Sequence, residues 1–381
     1  MFNNLIELIL SMPTEKACRE YLAKQRWVDG KAVCPYCGHG KCYSIEDGER
    51  YKCASKTCYK RFKITVGTIF EASNIPLSKW FTAIYLVTAH KKGISSYQLG
   101  KDIGVTQKSA WFMLHRVREM LKLKKEIKLD NIVEIDEVYI GGKVGNMSKT
   151  KRKKLRDEGN TYNTKTMVVG MIERSGNLKL IHFGKSNNMS ALQPLIRQHV
   201  DKDAVVITDS LGSYTGLNNH FAGHEIVNHS EQEYVRDGSI HTNSIEGAFS
   251  LLRRSIYGIY HQVTPKHLDR YCDETMFRYN LRGMKDADRF TYSLTNVEGR
   301  LAYKTLVGAK SNEPFQYVKN IPVKGKQGTK RPILQISDDE VINQYPSIAA
   351  AAKALNVDKT NIRKVLAGKA NTAAGFHWKY L

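Results

Sequence analysis

The chain has 381 residues and carries 59 lysines and arginines against 37 acidic residues, a formal net charge of +22. A surplus of this size favours binding to polyanions such as nucleic acid and argues against an acidic small-molecule substrate. No apolar run reaches the roughly 20 residues that a membrane-spanning helix needs. The first residues also lack the features of a secretion signal, so we expect a cytoplasmic protein with reduced cysteines and no membrane partner.

Four cysteines near the N-terminus stand in two pairs, Cys34 with Cys37 and Cys53 with Cys58. Such pairs are typical of thiolates that bind one tetrahedral Zn²⁺. Four thiolates form a closed shell, so the site is predicted to be structural and to contribute on the order of 10 kcal/mol of folding free energy. Cys42 lies between the pairs without a partner at this spacing. Buried free cysteines are the alternative interpretation.

Helical periodicity begins at Leu77 and continues through three segments. The second segment ends at a Gly-Val turn that starts with Gly104, and Thr106 is positioned to cap the third. This order of helices and turns predicts a three-helix DNA-binding unit whose last helix enters the major groove. Lys108 and Arg116 on that helix are therefore candidate DNA contacts. A plain helical hairpin that packs on its neighbour is the alternative.

Strand-like and helical patterns then alternate over residues 131–310. Three carboxylates stand at informative places: Asp136 in a strand that turns at a glycine pair, Asp209 at the end of an apolar strand, and Glu246 in a late helix. Three meandering strands, a helix, further strands and a late helix are the order of an RNase H-like α/β fold. In that fold the first and fourth strands place two carboxylates side by side.

Phosphodiester cleavage or strand transfer needs an activated oxygen nucleophile and relief of charge on the leaving 3′ oxygen. Two Mg²⁺ (or Mn²⁺) ions supply both, and these hard cations prefer oxygen ligands. We therefore predict that Asp136 bridges the ions while Asp209 and Glu246 hold one each. Glu134 and Glu137 compete with Asp136 for the first position. The plainer alternative is that each carboxylate is a strand-end charge or a helix cap.

Polar and basic side chains surround these carboxylates in the sequence. Asn243 precedes Glu246 by three residues and Arg253 follows it by seven, so the three share a helix face. We predict that Asn243 orients water or substrate, or takes the third position itself. Arg253, Arg254 and Lys143 are predicted to contact phosphates.

A Pro/Gly/Lys-rich linker precedes a small terminal module at residues 333–381. An alanine-rich helix, a turn at Asn356 and a second helix over residues 360–366 repeat the helix-turn-helix pattern, and a strand follows. This module resembles the modular DNA-binding domain associated with homing endonucleases. The resemblance places Arg363 and Lys364 on its reading helix, although a packing role alone is the alternative.

Together these motifs resemble a DDE transposase of a bacterial insertion sequence, from the ISXO-like group related to Merlin elements. The resemblance covers roughly residues 1–285 and favours Asp136 over its neighbouring glutamates. It departs at Ala248, where the family often has an aromatic residue. The motifs that carry it are residues 21–27 before 34–38, 135–143, 208–210, 241–247, 257–261 and 278–280.

The resemblance implies that the zinc ribbon and first helix-turn-helix bind terminal inverted repeats. It also implies that the core cleaves the element's ends and joins the freed 3′ hydroxyl to target DNA. Double-stranded DNA, as transposon ends and target, is then the expected partner, and paired cuts favour a homodimer associated with the nucleoid. The rivals are a DNA-binding regulator that has lost activity and a structure-specific nuclease that cuts without joining.

The predicted fold class is thus α/β: an RNase H-like mixed sheet with flanking helices, preceded by a zinc ribbon and helix-turn-helix and followed by a small helix-turn-helix module. The predicted segments are an N-terminal helix (1–30), the zinc ribbon (31–70), the helix-turn-helix (76–125), the RNase H-like domain (130–310), the linker (319–332) and the C-terminal modular DNA-binding domain (333–381).

Overall fold

A computed structural model divides the chain into two units, Met1–Lys324 and Gly325–Leu381. None of the described helices has the length and hydropathy to cross a membrane. The predicted linker lies outside the described residues. The residues described are 2–27, 30–46, 48–122, 128–142, 144–157, 165–184, 191–210, 212–227, 240–308, 333–337, 340–345, 348–366 and 370–380.

The N-terminal part of the first unit combines helices with a small antiparallel sheet. In place of the single helix expected over residues 1–30 there are two, because Pro13 and Thr14 interrupt the first and Thr14 caps the second. The elements are α1 (Leu5–Ser11), α2 (Glu15–Arg26), β1 (Cys42–Ile45), β2 (Arg50–Cys53), β3 (Arg61–Lys63), α3 (Leu77–Ala89), α4 (Ser96–Ile103) and α5 (Gln107–Leu121).

Helices α4 and α5 form the predicted helix–turn–helix geometry. Ser95 and Thr106 cap them by accepting backbone N–H bonds, and Gly104 makes the turn with a φ of 63°. From Ala110 onward α5 is largely buried, and Lys108 belongs to its exposed first turn. A recognition helix contacts bases mainly through its N-terminal residues. The exposed first turn therefore leaves this role available, while the rest of α5 serves the core.

A five-stranded mixed sheet follows, in the order β6-β5-β4-β7-β8. Strands β4, β5 and β6 are antiparallel, whereas β7 and β8 run parallel to β4. This mixed sheet with flanking helices confirms the predicted fold class. The elements are β4 (Ile132–Ile140), α6 (Lys149–Asp157), β5 (Thr166–Glu173), β6 (Leu178–Gly184), α7 (Leu192–His199), β7 (Val205–Asp209), β8 (Gly223–Val227), α8 (Asn243–Arg253), α9 (Pro265–Asn280), α10 (Asp286–Leu294) and α11 (Tyr303–Val307).

The two faces of the sheet carry separate apolar cores, as alternation along β4 requires. Val133 and Ile135 pack with α7 on one face. Val138 packs with α8 and α9 on the other. Gly170 lies opposite Asp136 in the register of β4 and β5. Its missing side chain lets α8 approach the sheet closely, and this approach places the start of α8 near the middle of β4.

The chain after α9 returns to the N-terminal core instead of extending the sheet. Phe290 of α10 packs against Phe81, with ring centroids 5.6 Å apart, and against Phe2 at 5.5 Å. The buried Arg26 guanidinium pairs with Glu298 at 2.7 Å. The predicted RNase H-like segment, residues 130–310, therefore ends in residues that pack with the N-terminal helices.

A buried charge cluster also links these parts. Arg118 of α5 and Arg278 of α9 both pair with Glu274, and all three side chains are at most 7% exposed. Burial opposes ionisation of Glu274, but the two arginines outweigh it and hold the pKa of its carboxyl at about 2. The Tyr260 hydroxyl donates to the same carboxylate at 2.6 Å. Helices α5 and α9 are thus held together by charge as well as by apolar packing.

The second unit has its own small core. Its sheet has the order β10-β9-β11, and buried Ile333, Ile362 and Trp378 lie in one cluster. The two helices and the final strand lie where the sequence predicts them, whereas the first two strands of this unit were not predicted. The elements are β9 (Ile333–Ser337), β10 (Glu340–Tyr345), α12 (Ile348–Ala354), α13 (Lys359–Leu366) and β11 (His377–Tyr380).

The substitution Gly170→Ala tests the close approach of α8. An added Cβ would lie 2.5 Å from the Phe249 ring and 2.7 Å from Ile245, so we expect a loss of about 1–3 kcal/mol, measured as a lower thermal midpoint. The control is Gly247→Ala on the open side of the same helix, where a Cβ meets nothing within 4 Å. It should be stabilising by about 0.5–1 kcal/mol. Equal midpoints for the two variants would contradict the packing.

Candidate active site

The four paired cysteines converge in the N-terminal ribbon. The Sγ atoms of Cys34 and Cys58 are 3.8 Å apart, those of Cys37 and Cys53 are 3.6 Å apart, and all four lie within 4.8 Å of one another. A tetrahedron with Zn–S bonds of about 2.3 Å has edges of about 3.8 Å. The Ser55 amide donates to Cys53 Sγ at 3.4 Å, as a thiolate ligand requires. The donor set therefore fits structural zinc.

Cys42 lies beside this site but differs from the other four. It pairs with Cys53 across β1 and β2, and its thiol points to the His39 carbonyl oxygen at 3.8 Å. Burial raises the pKa of the Cys42 thiol to about 12. Among the described residues, Cys42 Sγ is not in the group of four sulfur atoms that lie within 4.8 Å of one another, so Cys42 belongs to the packing of the ribbon.

The second centre lies where β7 ends beside the middle of β4, to which it runs parallel. Glu134 of β4 is opposite Ile207 of β7, so two residues further along each strand Asp136 and Asp209 lie side by side. Oxygens of Asp136, Glu137 and Asp209 lie within 4.8 Å of one another. Three carboxylates this close repel each other, whereas a divalent cation would bind to all three. The geometry therefore fits Mg²⁺ or Mn²⁺.

Glu137 is the member that the sequence did not place in the centre. Burial, reinforced by the charges of Asp209 and Asp136, raises the pKa of Glu137 to about 7. The neighbouring Tyr214 hydroxyl interacts with this carboxyl and partly offsets the rise in its pKa. A divalent cation would favour the charged form of the carboxyl, so Glu137 is an available metal ligand.

Glu134, the other glutamate considered for the first position, has a different role. Its fully buried carboxylate accepts bonds from the Ser244 amide (2.8 Å), the Ser244 hydroxyl (2.9 Å) and the Ile245 amide (3.1 Å). Arg174 Nε donates to it at 2.8 Å and also reaches the His241 carbonyl oxygen at 3.0 Å. Glu134 thus caps the first turn of α8. Its lone pairs are committed to this cap and not to a metal.

Glu246 and Asn243, the candidates for the third position, lie in that first turn of α8 with exposed side chains. The Thr242 hydroxyl donates to Glu246 at 3.2 Å. Among the described residues, Glu246 is not part of the group of oxygens within 4.8 Å. The structure therefore brings Asp136 and Asp209 together with Glu137 and leaves Glu246 on the adjacent helix. The third position stays a prediction.

The predicted DNA contacts fall into two groups. Arg116 is only 4% exposed and donates to the backbone oxygens of Leu301 (3.1 Å), Ile69 (2.8 Å) and Glu71 (2.9 Å). Its guanidinium therefore joins segments of the core, which corrects the prediction of a DNA contact. Lys143 lies outside the described residues. The exposed candidates are Lys108, Arg253, Arg254, Arg363 and Lys364.

Three parts of the sequence match known protein families. Residues 128–280 match the ISXO2-like transposase domain, and residues 13–61 match the transposase zinc-ribbon domain. Residues 335–379 match the NUMOD-like domain of I-HmuI-like DNA endonucleases. The carboxylate centre lies within the first match, and all four zinc-site cysteines lie within the second.

Two individual proteins are also similar. An uncharacterized protein in transposable element ISH50 of Halobacterium salinarum is 29% identical over 255 residues, which cover 65% of this chain and 84% of the relative. Among solved structures, a pre-cleavage Mos1 transpososome matches with 14% identity over 57% of this chain and 79% of that chain. Its TM-score of 0.20 is too low to support a conclusion.

The zinc assignment can be tested with two cysteine variants. Cys37→Ser removes one of the four ligands, so we expect loss of bound zinc and unfolding of the ribbon. Cys42→Ser should keep one zinc ion per ribbon, because its thiol lies outside the shell. The measurement is zinc content by elemental analysis of the purified full chain. Zinc loss in Cys42→Ser with retention in Cys37→Ser would contradict the assignment.

The substitution Glu134→Gln tests the helix cap. It removes the charge that faces Arg174 and the α8 amides, so we expect a loss of about 3 kcal/mol of stability, the lower end of the cost of breaking a buried ion pair. The control is Glu20→Gln, whose side chain is exposed on α2. Thermal unfolding of both variants provides the comparison. An unchanged midpoint for Glu134→Gln would mean that the cap contributes little.

Proposed function

This chain is a DNA transposase with an ISXO2-like transposase domain and a transposase zinc ribbon. We propose which of its residues bind metal, bind DNA and assist the reaction. Metal-dependent DNA cleavage and strand transfer are the activity of such a domain, and a transposable-element relative agrees with it. The predicted family, activity and cofactor classes, divalent metal and structural zinc, are thereby confirmed.

The observation that supports the assignment is the carboxylate centre. Asp136, Glu137 and Asp209 place oxygens within 4.8 Å of one another where β7 ends beside β4. We propose that Asp136 and Asp209 are the principal ligands and that Glu137 is a further one. A bound divalent cation, Mg²⁺ in our proposal, supplies Lewis-acid activation of the attacking oxygen and relieves charge on the leaving 3′ oxygen.

The first turn of α8 completes the site in this proposal. Glu246 is the third acidic residue, and Asn243 orients the attacking water or hydroxyl. The Glu134 cap supports both roles, because it fixes the start of α8 two residues from Asp136 along β4. Arg253 and Arg254, exposed at the end of the helix, hold the phosphates of the DNA strand.

DNA is the partner, and we propose that separate modules read it. The zinc ribbon and the exposed first turn of α5, with Lys108, bind the terminal inverted repeats. Arg363 and Lys364 of the second unit make an added DNA contact. Two element ends require two sites, so we propose a homodimer, located with the nucleoid in the cytoplasm.

The catalytic assignment predicts large losses of activity in an assay with the element's own terminal DNA and Mg²⁺ or Mn²⁺. Asp136→Asn and Asp209→Asn should lower end cleavage and joining by at least about a hundredfold, the scale of losing one electrostatic contact to the reacting phosphate. Glu137→Gln and Glu246→Gln should show comparable losses. Asp203→Asn, in the exposed turn before β7, is the matched control and should remain active.

The products of the same assay discriminate among functions. Joined products that need metal and disappear in Asp136→Asn support the proposal. Nicked DNA without joining would indicate a nuclease, and tight binding without cleavage would indicate a regulator. Full activity in Glu137→Gln would remove Glu137 from the ligand set and leave the other assignments standing.

A further inference from the structure

A cavity of about 440 Å³ lies between α3, α8 and α9. It shares no residue with the carboxylate centre or the zinc site. Its basic lining residues are Lys91, Arg278, Arg282 and Arg289, and no acidic residue lines it. The function proposed above leaves this concentration of positive charge unused.

Arg278 is the most buried of the four. Its side chain is 7% exposed, pairs with Glu274 and donates weakly to the Val87 carbonyl oxygen at 3.4 Å. Its Nε atom is buried and has no hydrogen-bond partner in the part of the chain that the structure describes. A buried guanidinium N–H without an acceptor is unfavourable. Arg278 therefore keeps an unused donor beside the cavity that it lines.

The charges behind the cavity wall do not balance. One carboxylate, Glu274, pairs with both Arg118 and Arg278, and each of these side chains is at least nine-tenths buried. Two guanidinium groups therefore oppose one acidic group. A buried charge is normally paired. The excess positive charge on the side of Arg278 favours an anion in the cavity.

The other two arginines are held in place at the same cavity. Arg282 donates to the carbonyl oxygens of Gly176 (3.0 Å) and Tyr279 (2.9 Å), and its guanidinium stacks over the Tyr279 ring at 4.3 Å. Arg289 pairs with Asp286, while its Nε is buried and has no partner within the described residues. Side chains held in this way lose little entropy when they bind a ligand.

We propose that this cavity binds a phosphate group. Arginine stays protonated across the physiological range, and its forked donors match phosphate oxygens. The cavity is in the size range of pockets that hold whole small ligands, so a nucleotide unit fits it better than a bare ion. The phosphate comes from a DNA strand or from a free nucleotide. The DNA source rests on the proposed function, whereas phosphate binding itself does not.

The test uses full-length, zinc-loaded protein with Asp136→Asn, so that bound DNA is not cut. Calorimetric titration with inorganic phosphate and thymidine 5′-monophosphate should show saturable binding, tighter for the nucleotide. Arg282→Gln should weaken it at least tenfold, as expected from loss of a charge-assisted hydrogen bond. Lys91→Gln is a second variant at an exposed position. The control is Arg197→Gln, an exposed arginine on α7 that contacts Gln193.

Binding to duplex DNA distinguishes the two sources. The logarithm of the DNA association constant falls linearly with the logarithm of salt concentration. If the phosphate belongs to DNA, Arg282→Gln should make this slope shallower by about one, and Arg197→Gln should leave it unchanged. An unchanged slope with weakened nucleotide binding assigns the site to a free nucleotide. Absence of saturable binding, or equal binding by Arg282→Gln and Arg197→Gln, would overturn the proposal. Because the Asp136→Asn protein is used throughout, loss of catalysis cannot imitate either result.

Discussion

The buried carboxylate of Glu134 joins three parts of the transposase domain at one point. It belongs to β4, accepts two amides from the start of α8 and pairs with Arg174 at the end of β5. Because Asp136 follows two residues later on the same strand, the position of α8 relative to the carboxylate centre depends on this contact. Gly170 allows the helix to lie close enough for it.

Buried charges hold the N-terminal part of the chain to the transposase domain. Arg118 and Arg278 enclose Glu274 between α5 and α9. Arg26 pairs with Glu298, which lies far from it in the sequence. Removing one partner would leave a charge buried without compensation, which is strongly destabilising. The helix-turn-helix region is therefore tied by ion pairs to α9, which packs on the sheet, while the first turn of α5 stays exposed.

Some features could be predicted because they depend on local pattern. Apolar patterns placed Asp136 within one strand and Asp209 at the end of another, and the parallel pairing of these neighbouring strands brings the two carboxylates together. Other features could not. Periodicity put Arg116 on a helix without showing that segments from residues 69–71 and 301 surround it. Alternation along β4 puts Glu137 and Asp136 on opposite faces, so their convergence at Asp209 was not expected.

The sequence by itself determined the zinc site, the order of helices and strands, and the two aspartates of the centre, because each depends on spacing within a segment. Only the tertiary structure decided how the glutamates and arginines divide their roles. It made Glu134 a helix cap, brought Glu137 to the two aspartates, buried Arg116 in packing and placed Arg278 in the lining of a cavity. These outcomes depend on contacts between residues far apart in the chain, where burial and the nearest opposite charge, and not residue type, set the role of an ionisable group.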